Sequence, residues 1–148
     1  MSYQSFEQVL QKCHTEEKEF WQVILEDDMA ERNVSEEDSM EHMRATWDAM
    51  LLAAATYEGD LNSSSGLVGG DGRRMEEYIH GAGIPSLCGE YVDTCIAGAL
   101  QMGESNACMK RIVAAPTAGA CGVLPAVLVP YFQKRCKDTD KILKAMYI

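Results

Sequence analysis

The chain contains 148 residues, 47% of them hydrophobic and 24% charged, and its formal net charge is −10. This length and composition predict a single globular domain over residues 1–148 with a hydrophobic core. Residues 1–60 hold 15 acidic and 4 basic residues, a balance of −11, whereas residues 61–148 hold 8 acidic and 9 basic residues, a balance of +1. The acidic half argues against nucleic acid as a partner, because phosphate binding requires clustered lysine and arginine.

Three helices are predicted before residue 58. The first begins at Ser5, which resembles the start of a capping box with Gln8, and the second covers about residues 16–30. The third begins at the N-cap Ser35 and carries an apolar seam at heptad spacing. The members of this seam are Met40, Met43, Trp47, Met50, Ala54 and Tyr57. Such a seam packs either on the core of its own domain, the favoured interpretation, or on a partner subunit.

A loop rich in serine and glycine follows over residues 62–72, with the sequence NSSSGLVGGDG. Helices are then predicted for residues 73–80 and from Ser86 to about residue 103. A last helix is predicted to begin at Thr139 or Asp140 as its cap. No stretch alternates polar and apolar residues for long enough to form a sheet, so the predicted fold class is all-α.

Residues 112–133 form a stretch of 22 residues without a charge, IVAAPTAGACGVLPAVLVPYFQ, with Cys121 near its centre. Its three prolines, Pro116, Pro125 and Pro130, each remove a backbone donor and resist a continuous helix. These breaks and the glycines around the cysteine disfavour a membrane span. The stretch is therefore predicted to be a buried loop and helix that present the thiol.

The six cysteines occur at irregular intervals and form no CxxC pair. Zinc ribbons and bacterial ferredoxins require close spacings, so the sequence supports neither. The first twelve residues contain no apolar segment of the kind that a secretory signal needs, which predicts a cytoplasmic protein without a disulfide framework. Most of these thiols are expected to be small buried hydrophobes.

Two features have candidate chemistry. The serine and glycine loop could arrange backbone amides and the hydroxyls of residues 63–65 around a carboxylate or phosphate, although a solvated connection between helices has the same composition. Cys121 could be a metal ligand, a nucleophile or a packed thiol. For a nucleophile, His80 is the only serious candidate base, because His14 and His42 lie in acid-rich helices.

Two segments resemble a known family. Residues 63–78, SSSGLVGGDGRRMEEY, and residues 103–128, GESNACMKRIVAAPTAGACGVLPAVL, are similar to the α chain, or α domain, of the iron–sulfur L-serine dehydratases. The likeness is carried mainly by the patterns S-x-S-G-L-x-G-G-D, E-x-N-A and A-P-T-x-G-x-x-G-V-x-P-A-V-L. It covers essentially the whole chain, weakly before residue 58 and strongly after it.

The resemblance implies an all-helical lyase that binds a [4Fe-4S] cluster and converts L-serine to pyruvate and ammonia. In that chemistry three cysteines hold the cluster, and the iron left open takes the substrate hydroxyl as a Lewis acid. Carried over by motif, Cys121 matches the first cluster cysteine. The same transfer gives substrate-binding roles to Ser63, Ser65, Gly66 and Thr117 and a supporting role to Glu104 and Asn106. The base that removes the α proton is not assigned by the resemblance, and His80 is the candidate from the residues alone.

The sequence departs from the family pattern in its cysteines. The other two cluster cysteines of the family lie a few tens of residues beyond the A-P-T block, whereas this sequence ends at Ile148. Cys136 and the other cysteines match no ligand position. The resemblance therefore implies the N-terminal half of an α chain, whose partners are the missing C-terminal half and a β subunit or β domain.

Two alternatives stay open at this point. A helical interaction module without catalytic activity would account for the missing ligands and the methionine-rich seam, and a surface left by a missing half would permit a homodimer. Related clusters act on L-cysteine, and the loop motif does not distinguish a hydroxyl from a thiol leaving group.

Overall fold

The computed structural model describes residues 3–81, 85–115, 117 and 119–148, and all regular structure in those ranges is helical. The helices are α1 Phe6–Glu16, α2 Phe20–Arg32, α3 Glu36–Ala55, α4 Asp71–His80, α5 Glu90–Ala107, α6 Ala120–Tyr131 and α7 Thr139–Ala145, and a π-helical segment, Phe132–Cys136, follows α6. The predicted all-α fold is confirmed for this part of the chain. None of these helices is long and apolar enough to span a bilayer.

Helices α1 and α3 begin at the predicted caps. Ser5 Oγ accepts the backbone N–H of Gln8 at 3.3 Å, although the Gln8 side chain accepts the N–H of Gln4 and not that of Ser5. Ser35 Oγ accepts the N–H of Asp38 at 3.1 Å, and the Asp38 carboxylate accepts the N–H of Ser35 at 3.3 Å. These bonds satisfy donors that have no partner inside the helix.

The chain divides into two compact units, one formed by Met1–Trp47 with Asp138–Ile148 and the other by Asp48–Lys137. In the first unit, the core includes four side chains that are at most 1% exposed. They are Val23, Trp47, Ile142 and Leu143.

In the second unit, α5 packs against both α4 and α6. Glycines allow the backbones to approach closely. A Cβ atom built on Gly72 of α4 would lie 2.7 Å from Gln101 Cγ, and one built on Gly98 of α5 would lie 3.3 Å from Ala126 Cα. A side chain at either glycine would therefore push the helices apart.

Helix α6 runs antiparallel to α5. The hydroxyl of Tyr91, at the start of α5, donates to the carbonyl of Val127, toward the end of α6, at 3.2 Å. A Cβ atom built on Gly122, at the start of α6, would lie 3.9 Å from Met102 Cβ, toward the end of α5. The opposite order of these contacts fixes the relative direction of the two helices.

The expectation that prolines break the uncharged stretch is wrong for two of them. Helix α6 continues through Pro125 and Pro130, while Pro116 lies outside the described residues. A proline inside a helix costs about 3 kcal/mol, because it removes one hydrogen bond and crowds the preceding turn. Both prolines are buried with Ala126 and Val129. The burial of these apolar side chains offsets that cost.

Two predicted caps are also displaced. Ser86 does not cap α5; its hydroxyl accepts the N–H of Gly89 at 2.7 Å in a preceding turn, and α5 begins at Glu90. The cap of α7 is Asp138, whose carboxylate accepts the N–H of Lys141 at 3.2 Å. For α7 the error is a choice between adjacent polar residues that can all act as caps, whereas the N-cap of α5 is Gly89, which has no side chain to form a cap bond.

Candidate functional site

The serine loop, residues 62–70, is ordered by one of its own hydroxyls. Ser63 Oγ accepts the N–H of Val68 at 3.1 Å, and the Ser63 N–H donates to the Val68 carbonyl at 2.8 Å. Ser65 Oγ lies 3.2 Å from Ser63 Oγ. Gly66 accommodates the reversal of the chain with φ of +72°, a value that glycine adopts without strain. The loop is a closed turn whose tip, at Ser65 and Gly66, is exposed.

Glu104 of α5 anchors the C-terminal end of this loop. Its side chain is buried, and Oε1 accepts the backbone N–H groups of Asp71 at 2.5 Å and Gly72 at 3.2 Å. Its Oε2 accepts the hydroxyl of Tyr57 at 2.5 Å. Asp71 and Gly72 begin α4, where N–H groups lack helical partners and the helix dipole favours negative charge. Glu104 thereby fixes the start of α4 and the loop that precedes it.

Tyr57 is held as a hydrogen-bond donor. Burial raises the pKa of Tyr57 well above its ordinary value, and the hydrogen bond to Glu104 and the charge of that carboxylate raise the pKa further. In the sequence Tyr57 was assigned to the apolar seam of the third helix, and its role as a donor to Glu104 was not predicted. The available signal was chemical, since a buried tyrosine hydroxyl needs a polar partner.

Cys121 lies in the first turn of α6 and is half-buried. The chain enters this helix through Gly119, which has φ of +84°. The first turn of a helix carries partial positive charge, which favours an anionic group beside it. Pro125, four residues later, has no N–H to donate to the Cys121 carbonyl, so this carbonyl lacks its usual helical partner.

Several of the predicted site residues lie near the C-terminal end of α5. Glu104 lies there, and Cys121 is adjacent to Gly122, which approaches Met102 of the same helix end. Asn106 is exposed in the last turn of α5. Thr117 is exposed, and its carbonyl accepts the N–H of Ala120 at 3.0 Å as the chain turns into α6.

His80 lies at the other end of α5. It is exposed in the last turn of α4 and lines a cavity of about 350 Å³ together with Glu90 and Lys134. The hydrogen bond from Lys134, at 2.7 Å, lowers the pKa of Glu90, and the nearby His80 lowers it further. Glu90 and Glu104 are fourteen residues apart on α5, a distance of roughly 21 Å along the axis. His80 therefore lies toward the N-terminal end of α5, whereas Glu104 lies near its C-terminal end, and the cavity that His80 lines extends to Gln101 and Met102.

The described residues do not form a metal centre by themselves. No group of three or more histidine, cysteine, aspartate or glutamate side chains among them is arranged to hold a metal ion. None of the six cysteines, all of which lie within the described ranges, forms a disulfide. An iron–sulfur cubane is held mainly by cysteine thiolates, and the A-P-T motif supplies Cys121 alone. These residues therefore do not fit a [4Fe-4S] cluster without further ligands.

Comparisons with known proteins identify relatives of this chain. Residues 15–148 match the family model described as serine dehydratase alpha chain. The L-serine dehydratase alpha chain of Peptoniphilus asaccharolyticus is 28% identical over 137 residues, which are 91% of this chain and 46% of that protein. The probable L-serine dehydratase alpha chain of Bacillus subtilis strain 168 is 27% identical over 125 residues, 84% of this chain and 41% of that protein. L-serine dehydratase 2 of Escherichia coli strain K12 is 44% identical over 50 residues, 34% of this chain and 11% of that protein.

The chain spans less than half the length of these relatives. No solved structure matches it. The family model, in contrast, covers the chain from residue 15 to its last residue and includes the serine loop, Glu104 and Cys121. The chain belongs to the serine dehydratase alpha chain family.

Proposed function

We propose that this chain forms the substrate-positioning part of an L-serine ammonia-lyase, which converts L-serine to pyruvate and ammonia. The family match over residues 15–148 carries the proposal. Its support in the structure is that Glu104 anchors the end of the serine loop at the C-terminal end of α5, the helix end that the first turn of α6 with Cys121 also approaches.

In this proposal the two serines of the motif have different tasks. The Ser63 hydroxyl is occupied by the Val68 N–H, so it orders the loop. Ser65 and Gly66 are exposed at the tip and present a hydroxyl and backbone polar groups to L-serine. Thr117 adds an exposed hydroxyl shortly before α6.

The proposed [4Fe-4S] cluster requires ligands beyond residues 1–148. Cys121 is its first ligand, and the remaining cysteines come from a segment equivalent to the C-terminal half of the longer α-chain relatives, either continuous with this sequence or on a separate polypeptide. A β subunit or β domain completes the enzyme. Glu104 and Asn106 have supporting roles, Glu104 through the loop that it anchors.

The test of substrate binding uses a chimera, in which residues 1–148 continue into the C-terminal remainder of the Peptoniphilus asaccharolyticus α chain. Together with the β chain, it is reconstituted with iron and sulfide under argon and assayed for pyruvate. We expect pyruvate from L-serine. Ser65→Ala should raise KM about tenfold, as loss of one hydrogen bond to a charged substrate group predicts, without loss of cluster absorbance. Ser64→Ala, which removes the neighbouring exposed hydroxyl, should leave KM unchanged.

The outcomes separate the alternatives. A chimera with full cluster absorbance and no pyruvate would contradict the proposal, and release of sulfide from L-cysteine alone would favour a desulfidase. Cys121→Ser should abolish the cluster absorbance and retain the helical circular dichroism, whereas Cys108→Ser, at a second half-buried thiol, should retain both. Retained cluster absorbance in Cys121→Ser would rule out its role as a ligand.

A further inference from the structure

Helices α5 and α6 carry an exposed apolar face. Three α5 side chains recur at every fourth position and are 37–41% exposed, and three on α6 recur in the same way and are 43–56% exposed. These six residues, termed the α5–α6 face, are Val92, Ile96, Leu100, Val123, Val127 and Tyr131. None of them carries a charge.

The two rows lie on the same side of the helix pair. Helix α5 meets α6 through Gly98 and Met102, and α6 meets α5 through Gly122 and Ala126. At 100° per residue, the exposed row of each helix is rotated by about 120° from its contact side, in the same sense in both helices. Because the helices are antiparallel, equal rotations in the same sense bring both rows to one side of the pair. The six side chains therefore form one surface.

The size of this surface points to a protein partner. Six large apolar side chains at this exposure leave a few hundred Å² of apolar surface in water, which is the size of the largest apolar patch on a typical monomer, a patch that is often functional. Two rows of apolar side chains on one side of a helix pair offer a surface against which the apolar face of another helix packs.

The relatives indicate which partner this is. The matched regions are 46% and 41% of the two α-chain relatives, so more than half of each α chain lies outside the match. We propose that the α5–α6 face is the docking surface for a polypeptide equivalent to the C-terminal half of these α chains. This inference rests on the proposed function, in which the same polypeptide supplies the remaining cluster cysteines.

Binding of a defined probe tests the inference. The probe is the C-terminal half of the Peptoniphilus asaccharolyticus α chain, titrated into this chain by isothermal calorimetry without substrate, iron or sulfide. We expect binding at one probe per chain, weakened at least tenfold by Ile96→Glu and by Val127→Glu. Leu52→Glu is the matched control, because Leu52 is 53% exposed on α3 and lies outside the face. Since all three side chains are exposed, the variants should keep the wild-type helicity.

Three results of these binding measurements would overturn the inference. They are no binding by the wild-type chain, equal loss of affinity in Leu52→Glu, and a wild-type dimer that dissociates in the Ile96→Glu and Val127→Glu variants while the probe is not bound. The last result would assign the face to a second copy of this chain. If a chimera carrying Ile96→Glu still assembled and formed pyruvate at the wild-type rate, the docking surface would be refuted and the proposed function retained.

Discussion

The two ends of α5 carry the same type of residue in opposite environments. Near the C-terminal end, Glu104 is 2% exposed and accepts three hydrogen bonds. At the N-terminal end, the exposed Glu90 pairs with Lys134 at 2.7 Å. A buried carboxylate must be fully hydrogen-bonded, because removing it from water is costly, whereas an exposed carboxylate keeps its hydration.

The region around Glu104 therefore has a fixed geometry, whereas the region around Glu90 tolerates changes of side chain. At the C-terminal end, one carboxylate connects α5, the start of α4 and the segment after α3, so a change in any partner displaces the others. The serine loop and the E-x-N-A motif lie at this end, whereas the A-P-T motif extends along α6 past Val127, beside Tyr91. Substrate positioning depends on such fixed geometry, because small displacements of binding groups lower the rate. Surface ion pairs at the other end impose no such constraint.

Among the variants that test this contrast, Glu104→Ala should have the largest effect on the stability of the chain. It leaves the N–H groups of Asp71 and Gly72 and the hydroxyl of Tyr57 without their acceptor, so it should lower the free energy of unfolding by about 3 kcal/mol. Urea unfolding followed by circular dichroism measures this change. Glu104→Gln keeps one acceptor oxygen and should recover part of the loss. If Glu104→Ala destabilised the chain no more than Glu90→Ala, the two ends would not differ as described.

Gly72→Ala should have the next largest effect. The added methyl group would come within 2.8 Å of the Tyr57 hydroxyl and within 3.2 Å of the Gln101 backbone nitrogen. Relief of this overlap by movement of α4 should cost about 2 kcal/mol. Gly103→Ala is the matched control, since no atom lies within 4 Å of its Cβ position, and it should stabilise α5 by about 0.5–1 kcal/mol. Thermal unfolding measures whether Gly72→Ala lowers the stability of the chain and Gly103→Ala raises it. Destabilisation of equal size in both variants would contradict this account.

Tyr57→Phe should destabilise the chain by about 1.5 kcal/mol at neutral pH, because Glu104 loses one charge-assisted hydrogen bond. The pKa of Tyr57 is raised in the folded chain above its ordinary value of 10.0. The stability that this tyrosine provides is therefore complete below about pH 10 and is lost as pH rises further, because the unfolded chain ionises first. The free energies of unfolding of the wild type and of Tyr57→Phe should therefore converge in alkaline solution. A difference in stability that stays constant from pH 7 to pH 11 would exclude the hydrogen bond as its origin.

Sequence reasoning predicted the local features well, because they depend on nearby residues. The caps Ser5 and Ser35, the serine loop and the helical class all follow from short-range patterns. Prediction failed where tertiary packing overrides local preference. Pro125 and Pro130 were expected to end a helix, yet both are buried within α6.

From the sequence, the candidate site could be predicted only as a set of separate motifs. The resemblance named Glu104, but its partners could not be predicted, because Tyr57 and Asp71 lie 47 and 33 residues away along the chain. Equally, nothing in the sequence separates His80 from Cys121, whereas the antiparallel packing places them toward opposite ends of α5. The roles of Ser65, Thr117 and Cys121 stay predictions that the variants above test.

The smallest expected effect is that of Glu90→Ala. The change removes the ion pair with Lys134, but both side chains are exposed, at 78% and 37%, and water replaces the lost interaction. The urea midpoint should therefore shift little, and any shift should vanish in high salt, because exposed charges are screened. A salt-independent loss of stability as large as that caused by Glu104→Ala would mean that the N-terminal end of α5 is as strongly constrained as the C-terminal end. The cavity lined by His80 and Glu90 would then be a second fixed region, and the contrast between the two ends would fail.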